Sequence, residues 1–248
     1  MGALLRTTGL SKRFGGLIAV EDVSLAVETG EVRSIIGPNG SGKTTLFNLI
    51  SRTLEATAGR IEFRGRDITH LPAHRVAHLG LARSFQVTSI FPELSVFENI
   101  RVAVQARRTM LNFWCEAGSL TDVNARAEAL LATMGMAARR DDRAGDLSHG
   151  EQRYLEIALA LAADSVLLLL DEPTAGMSPK ETGDVVRFIE GLRARLTILL
   201  VEHDMDVVMA IADRITVLHH GRVIADGPPD AIARHAEVRA VYLGPTRE

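Results

Sequence analysis

Short apolar runs alternate along the chain with longer stretches whose apolar positions recur every three to four residues. Strands alternating with helices give that pattern, so it predicts an α/β fold. Leu25 to Val27 and Val32 to Ile36 read as strands, Gly37 to Gly42 as a glycine-rich turn, and Lys43 to about Ser51 as a helix. A β segment, Arg60 to Phe63, runs into the turn Arg64-Gly65-Arg66-Asp67. Later, Ser165 to Leu170 has the continuous apolar character of a buried parallel strand. A helix from Pro179 to Arg193 and a strand from Thr197 to Val201 follow. Arg214 to Leu218 and Arg222 to Ala225, joined at His219-His220-Gly221, form a hairpin, and Gly227-Pro228-Pro229-Asp230 precedes a last helix.

The middle third, about 88 to 160, has a different texture. Val96 to Arg107 and Asp122 to Met134 carry helical spacing, with Ser95 and Thr121 as start signals. Between them, Met110 to Leu120 holds Phe113 and the single tryptophan, Trp114. Packing between helices and contact with a partner both account for these aromatics.

Composition narrows the class. With 248 residues and 46% hydrophobic content the chain can bury a sizeable core. A net charge of −3 and a pI near 6.3 argue against nucleic acid as a partner. The basic pairs Arg107–Arg108 and Arg139–Arg140 read as solvated helix ends. One cysteine, Cys115, allows no intrachain disulfide and fits a reducing compartment. Met1 to Leu10 lacks the pattern of a secretory signal. The richest apolar run, Ile157 to Leu170, is interrupted by Asp164 and Ser165 and falls short of the about 20 residues a membrane span needs. Any work at a membrane would depend on other chains that span it.

The candidate chemistry begins at Gly37-Pro38-Asn39-Gly40-Ser41-Gly42-Lys43-Thr44, a full G-x-x-x-x-G-K-[ST] between a strand-like and a helix-like run. Glycines let successive N–H groups turn toward one anion, and the helix starting near Lys43 aims its positive end at the same point. Lys43 can reach the β- and γ-phosphates, Thr44 can ligate Mg²⁺, and Thr45 joins the cofactor-binding set. Asn39 and Ser41 suit the tight turn. In Leu167-Leu168-Leu169-Leu170-Asp171-Glu172 an apolar strand delivers two carboxylates to its carboxyl end. Asp171 can hold Mg²⁺ through water, and Glu172 can orient an attacking water or take its proton.

These two motifs define a P-loop nucleotide enzyme. The segment between them, Leu147-Ser148-His149-Gly150-Glu151-Gln152, resembles the L-S-G-G-Q signature of ABC ATPases, at that family's interval from Asp171. Gln86, in Arg83-Ser84-Phe85-Gln86, is similar to the family's Q-loop glutamine. His203, in Val201-Glu202-His203-Asp204, is similar to its switch histidine, and Phe14 to the aromatic that stacks on adenine. The resemblance covers essentially the whole chain. It implies a mixed-sheet RecA-like core, 1–87 and 161–248, with an N-terminal antiparallel β subdomain and a helical signature subdomain over about 88–160.

The resemblance also implies a mechanism. Two such domains meet head to tail, with ATP held by the phosphate loop of one and the signature segment of the other. Ser148, Gly150 and Glu151 would serve the partner's nucleotide. Glu172, His203 and Lys43 would be catalytic, with Gln86, Thr44 and Asp171 around Mg²⁺. The chain departs from the family at His149, where a glycine is usual, and at Ser178, where an aspartate is usual. Ala175 to Thr182, Gln152 to Ala158, Val201 to Met205 and Val238 to Gly244 resemble the ATP-binding subunits of bacterial branched-chain amino acid importers; urea and amide importers share that subfamily. The expected partners are a second ATPase subunit, permease chains and, indirectly, a periplasmic solute-binding protein, at the cytoplasmic face of the inner membrane. A soluble ABC protein acting on ribosomes or DNA is the alternative from another class. It usually carries two modules or a long coiled coil, and a small-molecule kinase would leave the signature and His203 without a role.

Overall fold

The protein is described from a computed structural model, which covers residues 2–83, 90–108, 121–162 and 164–243. The first layer is a four-stranded antiparallel sheet. Strands β1 (Leu5–Phe14) and β2 (Leu17–Val27) form its long hairpin, and β4 (Ala58–Phe63) and β5 (Arg66–Asp67) complete the order β2-β1-β4-β5. The turn expected at 64–67 is therefore the tight end of a β hairpin.

The second sheet has six strands in the order β10-β9-β3-β8-β7-β6. These are β3 (Val32–Ile36), β6 (Leu81–Arg83), β7 (Leu167–Asp171), β8 (Thr197–Val201), β9 (Arg214–His219) and β10 (Arg222–Gly227). Pairing is parallel from β9 through β3, β8 and β7 to β6, and β10 returns antiparallel on β9. Every residue of β3, β7 and β8 is buried, as expected of strands covered on both faces. Their side chains alternate between two cores. Leu168, Leu170, Ile198 and Leu200 face one; Leu167, Leu169, Leu199 and Val201 face the other, beside α1 (Lys43–Ile50) and the antiparallel sheet.

Helix α2 (Ala73–His78) precedes β6. Helices α3 (Val96–Arg108), α4 (Thr121–Thr133) and α5 (His149–Ala162) pack together and share the first core with α6 (Pro179–Leu192). Helix α7 (Met205–Ile211), capped by Asp204, and α8 (Pro229–Arg234) and α9 (Ala236–Leu243) close the chain; Val208, Ile232 and Val238 form a smaller core with Ile36. Arg139 is exposed and Arg140 half-buried, and both are paired, Arg139 with Asp142 and Glu151 and Arg140 with Glu128 and Asp141. Trp114, Phe113 and Cys115 lie outside the described residues. No helix among the described residues is long and apolar enough to cross a membrane.

Candidate nucleotide site

The register of the parallel sheet assembles the site. Val201 pairs with Ile35 on one side and with Asp171 on the other, so β3, β8 and β7 end side by side. The residues following those ends are the phosphate loop, Glu202-His203 and Glu172. This is the carboxyl edge where open α/β sheets bind ligands.

The loop is shaped by close packing. Gly42 has φ 103°, and a Cβ there would stand 2.4 Å from the carbonyl oxygen of Ala19. The β9–β10 turn supports it from below, where the Gly221 N–H donates to Ser41 O at 2.9 Å. No side chain among the described residues caps α1, unlike α6 and α7, so its first N–H groups are left facing the loop without a capping partner there. Lys43 Nζ donates to Gly37 O (2.7 Å) and Pro38 O (3.1 Å). Burial lowers the Lys43 pKa, while the carboxylates of Glu172 and Asp171 oppose the shift. Phe14, Asn39, Gly40, Ser41, Gly42, Lys43, Thr44, Thr45 and Glu172 line one cavity of about 330 Å³. Gly37 and Pro38, whose carbonyls receive the Lys43 ammonium, are not among its lining residues. Phe14 is 47% exposed, with Lys12 Nζ over its ring, 5.1 Å from the centroid.

Glu172 sits at φ 46°, an unusual conformation for a residue with a side chain, and it is held there by its N–H donating to Val201 O at 2.9 Å. Asp171 is buried. Its Oδ2 accepts from Arg83 Nη2 at 2.9 Å, and its Oδ1 has no partner among the described residues. A buried carboxylate oxygen without a donor suits a hydrated divalent cation, so the residues present fit Mg²⁺. Arg83 is anchored in turn on α1, donating to Asn48 Oδ1 (2.6 Å) and Ser51 Oγ (3.1 Å). His203 is exposed, its Nδ1 3.9 Å from Glu202 Oε2. Gln86 lies outside the described residues.

The signature segment is elsewhere. Ser148, Gly150 and Glu151 are not among the residues lining the phosphate-loop cavity. They form the N-terminus of α5 as a capping box: Ser148 N–H donates to Glu151 Oε2 (3.0 Å) and Glu151 N–H to Ser148 Oγ (3.3 Å). That backbone N–H holds the Glu151 carboxyl below its usual range, assisted by Arg139. Gly150 packs so closely on α6 that a Cβ would meet Glu181 Oε1 at 2.9 Å. His149 lines a second cavity of about 550 Å³ with Arg153, Asp171, Glu172 and Met177. Ser178 caps α6, its hydroxyl and N–H both engaged with Glu181. Glu172 thus stands on the walls of both cavities.

Sequence reasoning passed over three polar contacts. These are Arg83 on Asp171, Arg153 Nη2 donating to Asp171 O (2.5 Å), and buried Glu202 accepting from Thr174. The available signal was position alone, since each lies within or beside a motif.

The sequence pattern of the ABC transporter family matches residues 20–175, and the chain belongs to that family. It is accordingly an ATP-binding, ATP-hydrolysing component of a transporter. The pattern of branched-chain amino acid ATP-binding cassette transporters matches residues 222–244, which span β10, α8 and α9. The chain is 41% identical to the high-affinity branched-chain amino acid transport ATP-binding protein BraF of Pseudomonas aeruginosa, over 97% of this chain and 98% of that one. It is 39% identical to the corresponding LivG of Escherichia coli K12, with the same coverage. Among solved structures it resembles a nucleotide-free ATP-binding cassette from an ABC transporter (TM-score 0.87, 31% identity, 98% of this chain and 100% of that one). It also resembles the ADP conformation of such a cassette (TM-score 0.86, 30% identity, 99% and 100%).

Proposed function

We propose that the chain energises an importer of branched-chain amino acids. Two things support that cargo: the similarity to BraF and LivG along nearly the whole chain, and the match of the C-terminal segment to the branched-chain pattern. Urea or amide import by the same architecture is the second reading.

The observation that carries the catalytic reading is the convergence of an uncapped helix N-terminus, Lys43 and Glu172 on one cavity. In this reading the N–H groups of Gly40 to Thr45 and the Lys43 ammonium bind the phosphates, exchanging the Gly37 and Pro38 carbonyls for phosphate oxygens. Phe14 stacks on the adenine. Glu172, facing the γ-phosphate position, orients the attacking water and takes its proton. His203 steadies the γ-phosphate, and Thr44, Asp171 and Gln86 hold Mg²⁺, which neutralises phosphate charge when bound. Ser148, Gly150 and Glu151, outside this cavity, serve a nucleotide on a second ATPase subunit.

The assembly follows the same logic. The chain divides into a core, 1–87 and 161–248, and a helical unit over about 88–160. Between α2, β6, α3 and α5 lies a groove of about 480 Å³ whose lining includes Ala77, Leu81, Phe91, Val102, Ala103 and Leu159. We assign this apolar groove to a cytoplasmic segment of a permease, which would hold the subunit at the inner face of the membrane, with a periplasmic solute-binding protein as an indirect partner on the opposite side. The test is reconstitution with the permease chains in vesicles. Leucine-loaded binding protein should stimulate ATP turnover and leucine uptake. Stimulation by urea or an amide alone would move the assignment to the second reading.

A further inference from the structure

Glu202 follows β8 and is fully buried, yet no lysine or arginine pairs with it among the described residues. An ionised carboxylate in that position requires hydrogen-bond donors, and the chain supplies them from two loops. Oε1 accepts from the Thr174 N–H (3.0 Å) and the Thr174 hydroxyl (2.7 Å). Oε2 accepts from the His203 N–H (3.1 Å) and lies 3.9 Å from His203 Nδ1. One side chain therefore joins the segment after Glu172 to the segment that begins with His203.

We infer that Glu202 is a positioning residue for ATP hydrolysis, fixing Glu172 and His203 relative to each other. Thr174 is two residues beyond Glu172, with only Pro173 between them. Proline restricts its own φ, so anchoring Thr174 transmits directly to the Glu172 backbone, already held at φ 46°. On the other side, Oε2 faces the imidazole edge at Nδ1. A small rotation of the exposed His203 ring would bring Nδ1–H into hydrogen-bond range and turn Nε2 outward, toward the nucleotide. A carboxylate that orients a histidine by its Nδ1–H sets which ring nitrogen carries the proton. Glu202 touches neither nucleotide nor water in this scheme. Its contribution is alignment, and losses from misalignment appear in turnover before they appear in binding.

The inference rests on the roles proposed for Glu172 and His203. It is tested on the full-length chain with Glu202→Gln, Thr174→Val and Thr174→Ser, using Glu172→Gln as control. In Glu202→Gln an amide NH₂ must face one of the donors that the carboxylate now satisfies, with little change in size. The expected result is a fall in kcat on the order of 10- to 100-fold, with KM for ATP and the affinity for ADP changed less than about threefold. Thr174→Val, which keeps the N–H but loses the hydroxyl, should fall less in the same direction. Thr174→Ser should retain most of the parent rate. Parent turnover in Glu202→Gln overturns the inference. So does a parallel loss of kcat, ADP affinity and melting temperature, the mark of general structural damage. If Glu202→Gln fails to fold, the threonine pair decides: equal rates for Val and Ser contradict the link. If Glu172→Gln itself keeps the parent rate, the catalytic reading fails rather than this one.

Discussion

The Lys43 ammonium donates to the carbonyl oxygen of Gly37, 2.7 Å away, so the cation proposed to bind phosphate is held against its own loop. Its pKa is lowered chiefly by burial. The charged form is thus disfavoured by folding, and the unfolded chain holds this proton more tightly. The resulting cost to stability is present at neutral pH, begins to fade as the pH rises past the lowered lysine pKa and is gone above the ordinary one. Lys43→Met should therefore raise the melting temperature of the nucleotide-free protein, an advantage that shrinks in strongly alkaline buffer. It should also weaken ATP binding by about 10- to 100-fold, the worth of a charge-assisted hydrogen bond. Differential scanning calorimetry and ligand titration measure the two effects separately.

Ser148 caps α5 and is proposed to belong to the composite site as well. Ser148→Arg should leave ADP binding by the isolated chain within about twofold, since the residue is absent from the phosphate-loop cavity. Turnover should be lost, because the signature must approach a partner's γ-phosphate. Ser148→Ala isolates the capping role and should cost about 1 kcal/mol in denaturant unfolding. Loss of ADP binding by Ser148→Arg would contradict the placement across the dimer.

Arg83 and Asp171 form an ion pair whose side chains are 9% and 0% exposed. Arg83→Met would leave the carboxylate buried with no cation at Oδ2. A drop of about 3 kcal/mol in unfolding free energy is expected, the scale for breaking a buried pair from one side. The Arg83→Met, Asp171→Asn double variant should recover part of that loss. Equal stability of parent and Arg83→Met would show that the pair adds nothing.

The parallel core was readable from the chain because β7 and β8, covered on both faces, appear as nearly continuous apolar runs, and β3 keeps apolar residues at both ends around Arg33 and Ser34. The antiparallel sheet followed from the family resemblance, and the residue pattern alone showed only the end of β2 and the body of β4. In β1, buried Leu5, Thr7 and Leu10 do not keep a strict alternation, because the pairing shifts register around Gly9 (φ 59°). The strand β6 and the helices α2 and α7 are too short to establish a period of their own. At the site, contiguous motifs carried the phosphate loop and Glu172 directly. The grip of Glu202 on Thr174 and of Arg83 on Asp171 was hidden, because each pair is far apart in sequence and meets only when neighbouring strands align. His149 and Ser178 gained definite places: one on the wall it shares with Glu172, the other as the cap of α6.

The central claim is that this chain hydrolyses ATP with Glu172 as the residue acting on water. The most direct measurement is ATP turnover by Glu172→Gln, together with its affinity for ATP. The account predicts parent-like ATP binding, turnover reduced on the order of 100-fold or more, and an ATP-dependent dimer that persists because the nucleotide is not consumed. Turnover at the parent rate with unchanged binding would contradict it.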